Sequence, residues 1–189
     1  SYQINKLYKN LKKKNFNAIK TREPGGSSTA ELIRNLIFSK KSIKLDNLTD
    51  FYLMNAARNE HVKKTLLPAK KKNKIVISDR FTDSTYAYQV IGNKISKDIN
   101  LINQKYILQG LKPDLTIVLK ASFKAIHSRI RKRKNNNKFD MLKNDFYKKA
   151  QNAYLSLAKR NKNYLIFDSS NNTPELEKKI LSLVLKKMK

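Results

Sequence analysis

Lys74-Ile-Val-Ile-Ser78 is a run of β-branched apolar residues that ends directly at an acid and a base, Asp79-Arg80. A strand without polar alternation is buried on both faces, and such strands belong to parallel sheets covered by helices. Further short runs that read as strands lie at 16–19, 115–119 and 164–167. Strands that alternate with helix-length segments predict an α/β fold, a parallel sheet with helices on both faces. In such sheets ligands bind at the carboxyl ends of the strands. Residues 22–27, Asp79-Arg80 and Asp168 all fall at such ends.

The helical segments follow from spacing. Ile4, Leu7, Tyr8 and Leu11 share one face of a first helix. Pro24, Gly25 and Gly26 make a turn after the first strand. Leu32, Ile33, Leu36 and Ile37 predict one side of the next helix. A long helix over 49–69 is expected to open at Thr49 or Asp50. Further helices are predicted over 82–90, 97–109, 123–132, 145–159 and 174–187, with Pro113 closing the second of these. No linker, repeat or boundary divides the chain, so one domain over 1–189 is expected.

Charge is the most unusual bulk property. Forty-two Lys and Arg against fourteen Asp and Glu give a formal net charge of +28. That balance suits binding to nucleic acid or a membrane surface, or it records a compositional bias that also enriches Asn and Ile. The basic residues are dispersed, and the short runs at 12–14, 70–72, 131–134 and 186–187 sit near element ends. Dispersal favours bias, so no specific nucleic-acid partner is expected, while an anionic substrate gains from the field either way. The absence of Cys excludes disulfides and thiolate metal sites. No apolar run is long enough to span a bilayer, and the start lacks a signal-peptide stretch, which leads to a cytoplasmic expectation.

Three constellations carry chemistry. Asp79 is a hard oxygen ligand suited to Mg²⁺ or its waters, and Arg80 offers a planar fork to phosphate oxygens. On its own, the dipeptide is more often a surface ion pair. Arg22-Glu-Pro-Gly-Gly26 is a tight turn whose amides could approach a phosphate or sugar, although Pro-Gly-Gly alone is more often an ordinary loop. Arg129, Arg131 and Arg133 precede an Asn-rich loop. A basic segment that closes over ATP is a recurring device of phosphoryl transfer, and a solvated helix end is the plainer reading. His61 and His127 lie in helices with no visible partner and read as structural or surface residues.

Together these segments resemble bacterial thymidylate kinase. Thr21-Arg-Glu-Pro-Gly-Gly-Ser27 is similar to that family's TREPGGT, and Asp79-Arg-Phe-Thr-Asp-Ser-Thr-Tyr-Ala-Tyr-Gln89 to its DRYxxSxxAYQ. Asn55-Ala-Ala-Arg-Asn-Glu-His61 is close to AADRAxH, 133–140 to the lid pattern RGxxDRFE, and 145–154 to DFxxxxxxxY. The resemblance implies a P-loop nucleoside-monophosphate kinase fold and transfer of the γ-phosphate of ATP to dTMP, with Mg²⁺, in a homodimer. It also implies roles. Asp79 would help place Mg²⁺, and Arg80 would bridge the acceptor phosphate and the transferred group. Arg58 would reach the thymine, Ser84 and Thr85 would line the base pocket, and Tyr88 would lie under the deoxyribose. Glu23, Pro24, Gly25 and Gly26 would contact the dTMP end, and Arg129 and Arg133 would clamp ATP within a lid over 129–140. Met54 stands where the family often has a Phe against thymine. Lys138 and Asp140 replace the lid's Arg and Glu.

The family opens with a strand and GxxxxGK[ST] before a helix beginning [ST]xQ. Ser1-Tyr2-Gln3 fits the end of that motif, which makes Ser1 the expected hydroxyl at Mg²⁺ and ATP. The expectation is a chain truncated at its N-terminus, without the central first strand and the phosphate loop, and itself inactive. Two rivals are another kinase of this fold with a different acceptor, and a non-catalytic basic relative that binds nucleic acid.

Overall fold

The computed structural model describes residues 2–39, 45–132 and 144–188. Ser1, Arg133, Lys138 and Asp140, and with them most of the expected lid, lie outside the described residues. The chain divides into two compact units, one ending at Lys112 and the other beginning at Pro113.

In the first unit, helix α1 (Tyr2–Lys13) buries Gln3, Leu7 and Leu11, the stripe read from sequence. It packs on strands β1 (Ala18–Arg22) and β2 (Ile75–Asp79). The two strands pair in parallel, with Ala18 opposite Ile75 and Arg22 opposite Asp79. The first strand therefore starts later than its apolar run suggests. Its polar residues Lys20, Thr21 and Arg22 belong to the ladder because β2 is there to pair with them.

Helix α2 (Ser28–Ile37) is capped by the Ser27 hydroxyl, which accepts from the Ala30 amide. Its inward face differs from the expected one. Leu32 is 70% exposed and Leu36 45%, while Ala30 and Ile37 are buried. The stripe that meets the next helix is 30, 33, 34, 37, the i, i+3, i+4, i+7 spacing of a single face, and residues 32 and 36 fall outside it.

The long helix is continuous but not uniform. It runs as α3 (Asn47–His61), a π-helical turn (Val62–Leu66) and α4 (Leu67–Lys71). Pro68 explains the interruption. A proline has no N–H to donate, and its ring clashes with the carbonyl four residues back. The wider turn before it, in which the Leu67 amide reaches Val62 O, relieves that crowding. Asp46 is the cap, with Oδ1 accepting from the Leu48 amide at 2.8 Å; Thr49 and Asp50 are not. Asp50 instead is buried inside the unit.

After β2 come α5 (Thr82–Thr85), a second π-helical stretch (Tyr86–Gly92) and α6 (Lys97–Leu108). Gln109 and Gly110, both with positive φ, close α6 before Pro113 is reached. Val62, Leu66 and Ile107 form a buried cluster joined by Val76 and Phe81, which anchors the residue after Arg80 in the core.

The second unit is β3 (Thr116–Lys120), α7 (Phe123–Arg131), α8 (Asn144–Arg160), β4 (Tyr164–Asp168) and α9 (Pro174–Lys187). β3 and β4 pair in parallel, with Thr116 opposite Tyr164 and Lys120 opposite Asp168, and α8 packs on both. Thr173 caps α9 by accepting from the Leu176 amide, with Pro174 in the first turn. Among the described residues no helix is long and apolar enough to cross a membrane.

Candidate active site

The parallel register of β1 and β2 brings their carboxyl ends side by side. Arg22 is opposite Asp79, and the Glu23 amide donates to Asp79 O at 2.9 Å. The turn after β1 and the Asp79-Arg80 pair at the end of β2, far apart in sequence, are therefore one locus.

Arg80 has φ of 72°, a left-handed conformation uncommon for a side chain other than Gly, Asn or Asp. Its carbonyl accepts from Ser78 Oγ at 2.7 Å, and the following residue, Phe81, packs against the buried cluster of Val62, Leu66 and Ile107. A strained backbone fixed from both sides turns the guanidinium to a defined direction. There it lies over the Tyr88 ring, 5.0 Å from the centroid, with Nη2 3.5 Å from the Tyr88 hydroxyl. The exposed cation thus rests on an aromatic floor.

The turn is pinned from within. Glu31, one turn into α2, accepts from Arg22 Nη2 at 2.7 Å, from Arg22 Nε at 3.2 Å and from the Gly26 amide at 2.9 Å. The Arg22 fork holds the Glu31 carboxyl below the usual glutamate range, and the Gly26 amide adds to this. Thr65 Oγ1 donates to Gly26 O at 2.7 Å. The Gly26 amide is therefore engaged internally, contrary to the expectation that the turn offers free amides. Glycine is required at both positions. Gly25 has φ of 125° and Gly26 of 88°. A Cβ at Gly25 would strike the Glu31 carboxylate, and one at Gly26 the Thr21 hydroxyl and the His61 ring. The Glu23-Pro24 peptide is cis.

Arg34 was not among the residues singled out from sequence. Its Nη1 donates to Pro24 O at 2.6 Å. Burial pushes its guanidinium below the ordinary arginine value, and repulsion from Arg22 and Arg80 acts the same way. Arg34 thus feels the charges of Arg22 and Arg80 and of the carboxylates of Glu31 and Asp79. Three cations against two anions leave an excess of one positive charge, which favours an anion. The signal for Arg34 was available: a charge on the buried 30, 33, 34, 37 stripe of an otherwise apolar helix face.

Behind the turn lies a buried chain of polar side chains. Arg58 Nε donates to Glu23 Oε2 at 2.8 Å, and His61 Nδ1 lies 3.0 Å from Glu23 Oε1. Thr21 Oγ1 lies 2.7 Å from His61 Nε2. Arg58 also donates to Asn55 Oδ1 at 3.4 Å and packs 5.7 Å from the Phe81 ring centroid. His61 is fully buried with two partners, which corrects the expectation of a histidine without any. His127 also has one, Asn144 Oδ1 at 2.7 Å from Nε2, and stands edge-on to Tyr147. Met54 and Thr85 are buried and Ser84 is half-buried. Gln89 Nε2 donates to Asp50 Oδ2 at 3.0 Å, a second buried pair that the sequence did not reveal.

In the second unit, Arg129 Nη2 donates to the carbonyls of Ser169 and Ser170 just after β4. Asp168 accepts from the Ser170 amide at 2.8 Å.

As a metal site, the β2 end offers one hard oxygen ligand, Asp79. Among the described residues no three His, Cys, Asp or Glu side chains gather to hold an ion. A single carboxylate fits Mg²⁺ delivered on phosphates, where substrate oxygens and water supply most ligands.

Comparison with known proteins agrees with this arrangement. The sequence pattern of the family described as thymidylate kinase matches residues 1–180. The thymidylate kinase of Mycoplasma capricolum subsp. capricolum is 36% identical over 187 residues, covering 97% of this chain and 88% of that protein. That of Mycoplasma genitalium is 40% identical over 168 residues, 87% of this chain and 77% of that protein. The crystal structure of thymidylate kinase from Ehrlichia chaffeensis superposes with a TM-score of 0.75 at 26% identity, covering 97% of this chain and 90% of that one. It carries the P-loop nucleoside-monophosphate kinase fold. The chain belongs to the thymidylate kinase family, and its activity is ATP-dependent phosphorylation of dTMP to dTDP.

Proposed function

We propose that the phosphate of dTMP binds at the joined ends of β1 and β2, between Arg80 and Arg34, and that Asp79 holds Mg²⁺ beside it. The observation that carries this reading is the geometry of the joined strand ends: Arg22 is opposite Asp79, Arg34 is bonded to the Pro24 carbonyl of the adjoining turn, and Arg80 rests on the Tyr88 ring. An oxygen of the dTMP phosphate attacks the γ-phosphorus in line. The bond to the β,γ-bridging oxygen breaks, and ADP leaves with that electron pair, so no covalent enzyme intermediate forms. Arg80, exposed and rigidly aimed, would meet the equatorial oxygens as charge spreads over them. Mg²⁺, when bound, would neutralise part of that charge. Tyr88 would form the floor of the sugar site. Arg58, Met54, Ser84 and Thr85 would face the thymine, and Glu23 to Gly26 would shape the turn around the nucleotide. Arg129 and Arg133, with Ser1, would serve ATP.

The same reading includes one kinase domain over 1–189, a homodimer and a cytoplasmic location. Leu32 and Leu36 on α2 and Tyr52 on α3 are exposed apolar side chains of one unit, which supports a face that meets a second copy. The test of the phosphate site is Arg34→Ala. The KM for dTMP should rise by about tenfold or more, as for loss of a charge-assisted bond of ~1.5–3 kcal/mol. The KM for ATP should hold. An unchanged KM for dTMP would place the acceptor phosphate elsewhere.

A further inference from the structure

We infer that His61 is a positioning residue for thymine recognition, acting through Glu23 on Arg58. The inference rests on the reading above that Arg58 faces the base.

The geometry is a closed relay. A carboxylate only accepts, so His61 Nδ1 carries the proton it shares with Glu23 Oε1 at 3.0 Å. In the neutral ring, Nε2 then accepts from the Thr21 hydroxyl at 2.7 Å. Glu23 spends its other oxygen, Oε2, on Arg58 Nε at 2.8 Å. Each carboxylate oxygen thus has one assigned donor, and the plane of the carboxylate is set by both. Arg58 cannot rotate about its terminal bonds without giving up Glu23 or Asn55. Glu23, Arg58 and His61 are 5%, 3% and 0% exposed. In such a setting a lost partner is not replaced by water. Gly26 closes the relay from the other side, since any Cβ there would enter the space of Thr21 and the His61 ring. A ring that touches no substrate thereby fixes where Arg58 points. Thr21, the last but one residue of β1, fixes the ring.

Asn and Gln separate the two nitrogens of histidine. The Asn amide nitrogen falls near the Nδ1 position and can still donate to Glu23. The Gln amide falls near Nε2 and reaches Thr21 instead. The affinity for dTMP is measured by titration calorimetry on His61→Gln, His61→Asn and Arg58→Ala. The affinity for 2-deoxyribose 5-phosphate, which lacks the base, is measured by competition. His61→Gln should weaken dTMP by about tenfold, leave the base-free sugar phosphate within about twofold, and be largely rescued in His61→Asn. Equal weakening of both ligands, or equal loss in Asn and Gln variants, would reduce His61 to packing and overturn the relay. If Arg58→Ala weakens dTMP while His61→Gln is silent, the relay alone is wrong. If Arg58→Ala is itself silent, the base-facing reading of Arg58 fails and takes the relay with it. Thr21→Val, nearly isosteric and at a strand position, guards against a His61 variant that does not fold. It removes the hydroxyl that holds Nε2 and should weaken dTMP by roughly threefold with the base-free ligand unmoved; no effect there would also overturn the relay.

Discussion

At the scale of single residues, the site separates groups that act on phosphate from groups that hold the frame. Arg80 is of the first kind. It is exposed at the end of β2, and its guanidinium rests on Tyr88, so Arg80→Ala should leave the fold intact. If it meets charge that develops in the transition state, kcat should fall by about 10²–10³, or ~3–4 kcal/mol; steady-state dTDP formation and a thermal melt check the two halves. Glu31 is of the second kind. Its carboxyl lies below the ordinary range because Arg22 and the Gly26 amide favour the charged form. The contribution of Glu31 to stability is therefore complete above the unfolded value, about 4.3. It is lost as pH falls below that through the lower folded value. Glu31→Gln should weaken dTMP binding at neutral pH and flatten the acid limb of the stability curve. An acid limb identical to the parent's would show that Glu31 does not hold the turn. Sequence made Arg80 and Asp79 visible because they end an apolar strand. Glu31, Arg34 and His61 were hidden for a physical reason: their roles depend on partners 5, 10 and 38 positions away, and a helix of mixed composition does not announce which stripe faces inward.

At the scale of elements, what was legible followed from period, and what was not followed from pairing. The alternation of strands and helices, the parallel direction and the last helix over Pro174–Lys187 could all be read from the chain. β1 was displaced toward Arg22 because a ladder partner, not its own hydrophobicity, sets its end. Apolar spacing points to the wrong face of α2 because four apolar residues at 32, 33, 36 and 37 mask the narrower stripe through 30, 33, 34 and 37. The π-helical turns around Pro68 and Tyr86 could not be seen from apolar spacing, since one inserted residue shifts the stripe without erasing it. The turn between β1 and α2 depends most on a single position. At Gly26 a positive φ and a missing Cβ are both needed, so Gly26→Ala should cost ~1–3 kcal/mol. It should also loosen the Thr21–His61 contact. A melt within a degree or two of the parent's would mean that the turn can rearrange around a methyl group.

At the scale of the whole molecule, the net charge of +28 has no single address in the sequence, yet the active site adds its own local excess of cation around Asp79. Burial and repulsion from Arg22 and Arg80 hold Arg34 below the ordinary arginine value, and the surrounding positive charge draws an incoming anion toward it. The long-range part of that attraction passes through water and is screened by salt. Between about 0.01 M and 1 M monovalent salt the Debye length shrinks from roughly 30 Å to roughly 3 Å. Over that span the affinity for dTMP, followed by titration calorimetry, should fall by about tenfold, chiefly through slower association. Thymidine, which presents the same base and sugar without the phosphate, should change by less than about twofold, and any change should follow the effect of salt on apolar burial. The difference between the two ligands isolates the phosphate's share of the field from general effects of salt on the fold. Substituting Arg34 should reduce the slope for dTMP and leave thymidine as it was. If dTMP and thymidine respond alike, the excess of lysine and arginine is silent toward substrate. The three arginines would then act only at contact distance.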